Sequence, residues 1–334
     1  MPRSREFSSG DDRGYSGLIE ESGCHEPWRV RSVAALSLAC VLWAGSAIAA
    51  KVALGDGSDE SPAKIGPLLL ACVRFAGAGL LLMLYLRVRH ALVPVERSDR
   101  RRLVALGAFG IAATYAVFYG GMRYTSATET TFLVAAEPIL IALLARVLLR
   151  ERLSRLQGLG MAAGLAGVYV IVFRGIVPTF EGTVAANTVV TLALVFESYA
   201  SILGKDLVRR YDGLSVAAYG MVIGSVCLLP LAIWEASMRV AWRPGWPEIA
   251  AVVYLTVLCS ALAYGIWYSL LRRHSVSSMA GFLYIQPVLG PVFAYLLLGE
   301  RMSVWTFVGA AATLAGVSLI ALPERKRRPA SSAP

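Results

Sequence analysis

The sequence predicts an all-α membrane protein with ten transmembrane helices arranged as two inverted five-helix repeats. Hydrophobic residues are 57% of the 334 residues and charged residues only 16%, with a mean hydropathy of +0.61. Soluble proteins are about 45–50% apolar and about 25% charged. The apolar residues fall into ten runs of roughly 20 residues, each long enough to cross a ~30 Å hydrocarbon core as a helix. The third observation is that the second half of the chain repeats the first.

The composition and the missing motifs exclude several classes of protein. Ten spans of about 20 residues leave no room for a soluble catalytic domain, a nucleic-acid-binding domain or a secreted disulfide scaffold. The five cysteines include no CxxC pair, so the sequence signals neither zinc nor redox chemistry. Because nucleotide-binding and hydrolase motifs such as GxxxxGK[ST], HExxH and GxSxG are also missing, we expect no cofactor, no metal and no catalytic residues.

The elements follow from the apolar runs, taken in order along the chain. Residues 1–32 mix Ser, Gly and both charge signs without helical periodicity, which predicts a disordered cytoplasmic tail. Residues 323–334 form a basic tail. Irregular backbone cannot face lipid, and alternating strands are not seen, so the runs must be helices. The predicted spans are 33–54, 65–86, 103–121, 126–148, 156–173, 184–204, 214–234, 249–271, 276–298 and 304–322.

The distribution of Lys and Arg predicts the orientation of the chain. With the N-terminus inside, the cytoplasmic segments hold 24 of the 32 basic residues, the outer segments hold seven, and Arg74 lies inside a span. Positive charge collects on the cytoplasmic side of membrane proteins. We therefore expect a multi-pass protein of the plasma membrane with both termini in the cytoplasm.

An internal repeat divides the chain into two halves. Residues 137–172 align with residues 286–321 without a gap, and 16 of the 36 positions are identical, including a Pro, a Glu-Arg pair and two Gly. The repeats are predicted at 33–173 and 184–322. Each holds five spans, and an odd number inserts the second copy the opposite way up. The charges agree, since Arg150 and Arg155 are replaced by Gly299 and Val304 in the second copy. Inverted repeats are a recurrent architecture of secondary transporters.

Several segments in this order resemble the drug/metabolite transporter superfamily, and specifically its EamA-type members. They are WAGSAIAAKVAL (43–54), ACVRFAGAGLLL (71–82), AAEPILIALL (135–144), LLLGERMS (296–303) and GAAATLAGVSLI (309–320). The resemblance implies a ten-helix transporter with a central cavity, often exporting amino acids or other small metabolites.

Three ionisable residues lie far from any span end and are the first candidates for a substrate site. Arg74, Glu137 and Glu197 all fall about 15–20 Å from the outer surface at ~1.5 Å per residue. Such residues in a membrane usually have a function or a partner. Glu137 is interpreted either as a ligand for a substrate amine or a coupling proton, or as a structural partner of Arg74. Arg74 itself either binds a substrate carboxylate or has a general structural role.

Polar and aromatic residues in neighbouring spans extend the candidate cavity. Tyr115 and Tyr264 are repeat equivalents on aromatic helix faces that either line a pathway or anchor the protein at the interface. Pro138 and Pro287 are predicted hinges, because proline removes a helical hydrogen bond. The remaining cavity candidates are Gln286, Trp43, Ser46 and Tyr199. By contrast, the Glu151-Arg152 and Glu300-Arg301 pairs at loop ends are expected to be ion pairs or helix caps.

The sequence as a whole favours a secondary transporter that exports a small metabolite, such as an amino acid, by alternating access. The alternatives are a polytopic membrane enzyme acting on a lipid-linked substrate and a channel or scaffold. An enzyme of that kind needs acids near a membrane surface, whereas the best acids here lie near the midplane. The expected partners are the bilayer, a small-molecule substrate and a coupling proton, without nucleic acid. A monomer suffices because both repeats are in one chain, and a weak homo-oligomer is the other expectation.

Overall fold

The structure is a computed structural model that describes residues 28–54, 65–122, 133–151, 153–173, 184–238, 244–298 and 303–321. Within these ranges, every regular element is helical, and nine helices are long and apolar enough to cross a membrane. A further helix, Glu137–Leu148, lies in the predicted fourth span, whose first part falls outside the described residues. The predicted all-α membrane fold is confirmed.

The helices follow the predicted spans closely, and we number them α1–α10. Five are uninterrupted over their whole length: α2 (Pro67–Val88), α5 (Arg155–Phe173), α6 (Val184–Val208), α7 (Gly213–Ser237) and α10 (Val304–Ala321). Helix α7 stays continuous although it contains a proline. The described part of the fourth span is α4 (Glu137–Leu148). The others contain an irregular turn: α1 (Val30–Ala44 and Ser46–Leu54), α3 (Arg100–Gly107, π-helical Ala108–Ala113, Thr114–Met122), α8 (Trp246–Val253, π-helical Tyr254–Leu262, Ala263–Leu271) and α9 (Val276–Ala280, 3₁₀ Gly281–Tyr284, Ile285–Leu298).

Helices α5 and α10 pack along a seam of glycines that shows how the repeats are related. A Cβ atom added to Gly160 would lie 2.6 Å from the carbonyl oxygen of Gly316, and one added to Gly167 would lie 2.6 Å from that of Gly309. Only glycine permits so close an approach of two helix backbones. Residue numbers rise along one helix as they fall along the other, so these two repeat-equivalent helices are antiparallel. The two repeats are therefore inverted.

The packing of the other helices obeys the same two-fold relation. Helix α2 packs on its equivalent α7, and α4 contacts its equivalent α9. The contact of α1 with α8 is matched by that of α6 with α3, and the contact of α1 with α9 is matched by that of α6 with α4. A pseudo-two-fold axis thus runs between the repeats, and the helices that surround it belong to both.

One end of the bundle carries the basic loops, and we call it the basic end. It comprises residues 89–99, 149–151, 153–154, 209–212 and 272–275. Asp99 accepts hydrogen bonds from Arg210 Nη1 at 3.0 Å and from the Tyr211 hydroxyl at 3.0 Å, which joins two of these loops. Helix α6 runs four residues beyond its predicted end at 204, so Lys205, counted from the sequence as a loop charge, lies in its last turns and is 4% exposed.

Candidate functional site

Arg74 places a buried positive charge between three helices. Arg74 lies on α2 and is only 6% exposed. Its Nε donates a hydrogen bond to Ser260 Oγ on α8 at 2.6 Å. The guanidinium carbon also lies 4.9 Å from the ring centre of Phe75 and 5.7 Å from that of Tyr115 on α3. Cation–π contacts and a hydrogen bond of this kind stabilise a charge that is removed from water. Arg74 therefore has a fixed position in the bundle.

Tyr115 and Tyr264 meet beside Arg74, one from each repeat. They are repeat equivalents, since 115 plus 149 is 264, and their hydroxyls share a hydrogen bond. The Phe75 ring packs against both, with centroid distances of 4.9 Å and 6.1 Å. Each tyrosine follows a π-helical segment at the same place in its repeat, in α3 and in α8. Segments of this kind are frequent at functional sites because the extra residue re-aims the side chains that follow.

Two carboxylates complete the cluster. Glu197 on α6 accepts a hydrogen bond from the Tyr264 hydroxyl at 3.4 Å, and the charge of Arg74 acts on it. Glu137 lies in the first turn of α4, where the helix dipole favours a negative charge, and it interacts electrostatically with Glu197. Both side chains are deep in the bundle, yet both residues keep accessible surface. Each carboxylate is therefore surrounded by protein and still reaches accessible surface.

Trp43 closes one wall of this cluster. Its Nε1 donates to the carbonyl oxygen of Cys259 at 2.9 Å, and its ring meets Tyr264 edge-on at 5.1 Å and Trp267 at 5.8 Å. The carbonyl of Cys259 lies within the π-helical segment of α8, and α1 is interrupted two residues after Trp43. The aromatic face of α8 therefore points into the protein, and Trp267 is 4% exposed.

The predicted hinge prolines occupy equivalent positions at helix starts. Pro138 lies in the first turn of α4, directly after a turn at residues 135–136. Pro287 lies in the first turn of Ile285–Leu298, directly after the 3₁₀ segment. Proline is well tolerated there because the first N–H groups of a helix have no partner within it. Gln286, the equivalent of Glu137, is partly exposed at the same level.

The structure does not bring every candidate to the cluster. Tyr199 packs against Phe109, with ring centres 6.0 Å apart, and Phe109 is 39% exposed on the outside of the bundle. Two residues of helix separate Tyr199 from Glu197 by about 200° around the axis at ~3.6 residues per turn, so the two point to different sides of α6. Ser46 is partly exposed at the first residue of Ser46–Leu54, beyond the break in α1.

Two members of the cluster were not predicted as site residues. Ser260 accepts a hydrogen bond from Arg74, and Phe75 supplies one of the two aromatic rings that the guanidinium faces. Phe75 follows Arg74 directly in the sequence, and this adjacency could have identified it as a member of the cluster. Ser260 has no comparable signal, because a serine inside an apolar span usually bonds to its own helix backbone.

The comparisons with known proteins identify the class. The chain belongs to the EamA-like transporter family, whose model matches residues 31–173 and 185–322, one copy for each repeat. The protein is therefore a membrane transporter, and the family gives no support to a membrane enzyme.

The names of two relatives agree with this class, and a solved structure shares the fold. An "Uncharacterized transporter" of Archaeoglobus fulgidus is 29% identical over 85% of this chain and 95% of its own. A "Probable terminal-alkyne amino-acid exporter" of Streptantibioticus cattleyicolor is 33% identical over 91% of this chain and 98% of its own. A solved structure titled "Crystal structure of protein" has the same fold, with a TM-score of 0.74 at 20% identity, and covers 88% of this chain and 99% of that one.

Proposed function

We propose that this transporter exports a small metabolite with an amino group, such as an amino acid, by alternating access across the plasma membrane. The observation that carries the proposal is the pair Glu137 and Glu197, which belong to different repeats and interact electrostatically; in the proposal they line an internal chamber. Two carboxylates next to a single guanidinium give the chamber a net negative charge when both are ionised. Such a chamber favours a substrate amine or a coupling proton.

The contacts of Arg74 support a division of roles among the charged residues. Arg74 is held by Ser260 and two aromatic rings, and the carboxylate its charge acts on is that of Glu197. We assign Arg74 and Glu197 to one electrostatic unit that shapes the chamber. Glu137, whose charge interacts with that of Glu197, is then the carboxylate that takes the amine or the proton.

The relatives support the direction and the class of substrate. The Streptantibioticus cattleyicolor protein is named as an amino-acid exporter and matches nearly the whole chain. The basic loops that share one end of the bundle support an orientation with that end in the cytoplasm. Since both repeats are contained in one chain, a monomer is sufficient for the transport cycle.

Counterflow in proteoliposomes tests the proposal. Vesicles loaded with one amino acid at a time should take up the same labelled amino acid in a saturable way, and an imposed pH gradient should change the rate if a proton is coupled. Glu137→Gln should lower the rate by on the order of tenfold or more, because an amide cannot ionise. Glu96→Gln is the matched control, since Glu96 is exposed in a loop at the basic end. Full activity of Glu137→Gln at normal expression contradicts the assignment.

A further inference from the structure

Lys205 is a buried cation that the proposed substrate site does not use. It lies in the last turns of α6 and is 4% exposed. Its Nζ donates hydrogen bonds to the carbonyl oxygens of Leu271 at 2.6 Å and His274 at 2.7 Å, where α8 ends. The charge of Glu151 also acts on it. An ammonium in this position is costly unless it has such partners, so the contact holds the ends of α6 and α8 together.

Glu151 makes the corresponding connection between α4 and α9. Its carboxylate accepts hydrogen bonds from the backbone N–H groups of Val276 and Ser277 at 3.1 and 3.2 Å, and from Ser277 Oγ at 2.7 Å. These are the first residues of α9, where unpaired N–H groups favour a carboxylate. Glu151 therefore caps α9 from the chain segment that follows α4.

These contacts lie at the basic end, a short distance along α6 and α8 from the proposed site. Lys205 follows Glu197 by eight residues on α6, which is about 12 Å at ~1.5 Å per residue. Leu271 follows Tyr264 by seven residues on α8, about 10 Å by the same rise. Below them Trp28 stacks on His274, with ring centres 3.9 Å apart and an angle of 1° between the planes.

We propose that Lys205 and Glu151 form the gate that closes the substrate site toward the basic end. The proposal rests on the protein being a carrier with two gates, as set out above. For the basic end to open, the ammonium of Lys205 must leave the carbonyls of Leu271 and His274 and become hydrated. In the closed state the ammonium ties α8 to α6 and Glu151 ties α9 to α4, and the charge of Glu151 acts on Lys205 between the two pairs.

Thiol accessibility measures the gate without any substrate. Ser201→Cys is introduced after the five native cysteines are replaced by Ala or Ser. Ser201 lies one turn from Lys205 toward Glu197 on the same face of α6 and is 8% exposed. An anionic, membrane-impermeant methanethiosulfonate is applied to sealed vesicles of each orientation. With Lys205 in place, labelling from the basic end should be slow.

Lys205→Met keeps the length of the side chain and removes its hydrogen bonds, and labelling from the basic end should then rise on the order of tenfold. Removing a cation weakens the attraction of the site for the anionic reagent, so a rise in labelling reports opening and not electrostatic attraction. Arg209→Met removes the same charge from an exposed position on the next turn and should leave labelling unchanged. Lys205→Arg should keep most of the closure, because it retains the charge and the donors.

Unchanged labelling in a folded Lys205→Met protein overturns the proposal. If that variant does not insert into the membrane, Glu151→Gln decides, because it weakens the cap on α9 and leaves Lys205 intact. Glu151→Gln should also raise labelling, and no change there refutes the gate. Counterflow on the same vesicles separates the two proposals: a protein without counterflow but with the expected labelling retains the gate and loses the proposed function.

Discussion

The glycine seam between α5 and α10 allows a quantitative test of the inverted architecture. A Cβ atom at Gly160 would lie 2.6 Å from the Gly316 carbonyl oxygen, and ordinary contact begins at 3.4 Å, so Gly160→Ala requires the helices to separate by 0.8 Å, which is 3.4 minus 2.6. Overpacking of this kind costs about 1–3 kcal/mol. Alanine returns about 0.5–1 kcal/mol through its better helix propensity. The expected net loss is about 0–2.5 kcal/mol, and relative to an alanine that gains only helix propensity it is the full cost of about 1–3 kcal/mol.

The same helix provides a matched control. Gly158 lies two residues away, and a Cβ atom added there would meet nothing within 4 Å. Gly158→Ala should therefore gain only the helix propensity and melt at or above the temperature of the parent protein. The assay is the apparent melting temperature of the purified protein in detergent, measured by thiol-reactive dye or by size-exclusion chromatography after heating. If Gly160→Ala melts at or above Gly158→Ala, the close crossing does not exist as described.

The two-fold relation makes a second, stricter demand on this experiment. Gly316→Ala would place its Cβ atom 2.5 Å from the Gly160 carbonyl oxygen, at the same crossing point, so its cost should match that of Gly160→Ala. Once the helices have separated for one alanine, the second fits with little further cost, and the double variant should be less destabilised than the sum. The double variant Gly160→Ala/Gly309→Ala disturbs two separate crossing points. Its loss of stability should therefore be closer to the sum of the two single losses than that of Gly160→Ala/Gly316→Ala.

Two further predictions concern charged groups at the basic end and in the site. Burial would raise the pKa of Asp99, but hydrogen bonds from Tyr211 and Arg210 outweigh it and hold the pKa below its ordinary 3.8. A lowered carboxyl pKa stabilises the fold above the unfolded pKa, and the effect is lost as the pH falls through the folded pKa. Asp99→Asn should thus lower the melting temperature at pH 7. The loss of stability should be on the order of 1 kcal/mol, because Arg210 is exposed. The difference in melting temperature between variant and parent should shrink on acidification toward pH 2–3, and an equal difference at both pH values contradicts the prediction. Ser260→Ala should reduce counterflow several-fold with unchanged expression because it removes the acceptor of Arg74, whereas unaltered counterflow would show that this bond does not position the charge.

The sequence was sufficient to predict the membrane-spanning helices. Apolar runs of about 20 residues admit few alternatives to helices, and the observed helix ends differ from the predicted ones by four residues or fewer where both are described. The rarity of charges in the spans was enough to select Glu137 and Glu197. Their proximity was not predictable, because it depends on how each helix is rotated about its axis.

Contacts between side chains of different helices could not be predicted from the sequence. The partner of Arg74 is a serine on α8, and nothing in the sequence fixes the rotation of α8 that brings them together. Lys205 was counted as a loop charge because basic residues near span ends usually reach the surface, whereas here backbone carbonyls from another helix hold it inside. The placement of Tyr199 shows the same limit, since a polar-aromatic patch in the sequence need not lie on one face.

The two repeats share the features that allow a conformational change but differ at one position of the proposed binding site. The glycine seam, the π-helical segments and the Tyr115–Tyr264 pair are shared by both repeats, so each half can adopt the conformation of the other when the gates exchange. The ionisable group is not shared: Glu137 on α4 corresponds to Gln286 on α9, which cannot take up or release a proton. A carrier with a symmetric scaffold but unlike residues at this pair of equivalent positions keeps the Glu137 carboxylate on the same helix in both conformations. Its affinity for an amine can then differ between the two open states, which is the condition for transport that favours one direction when a proton gradient acts on that carboxylate.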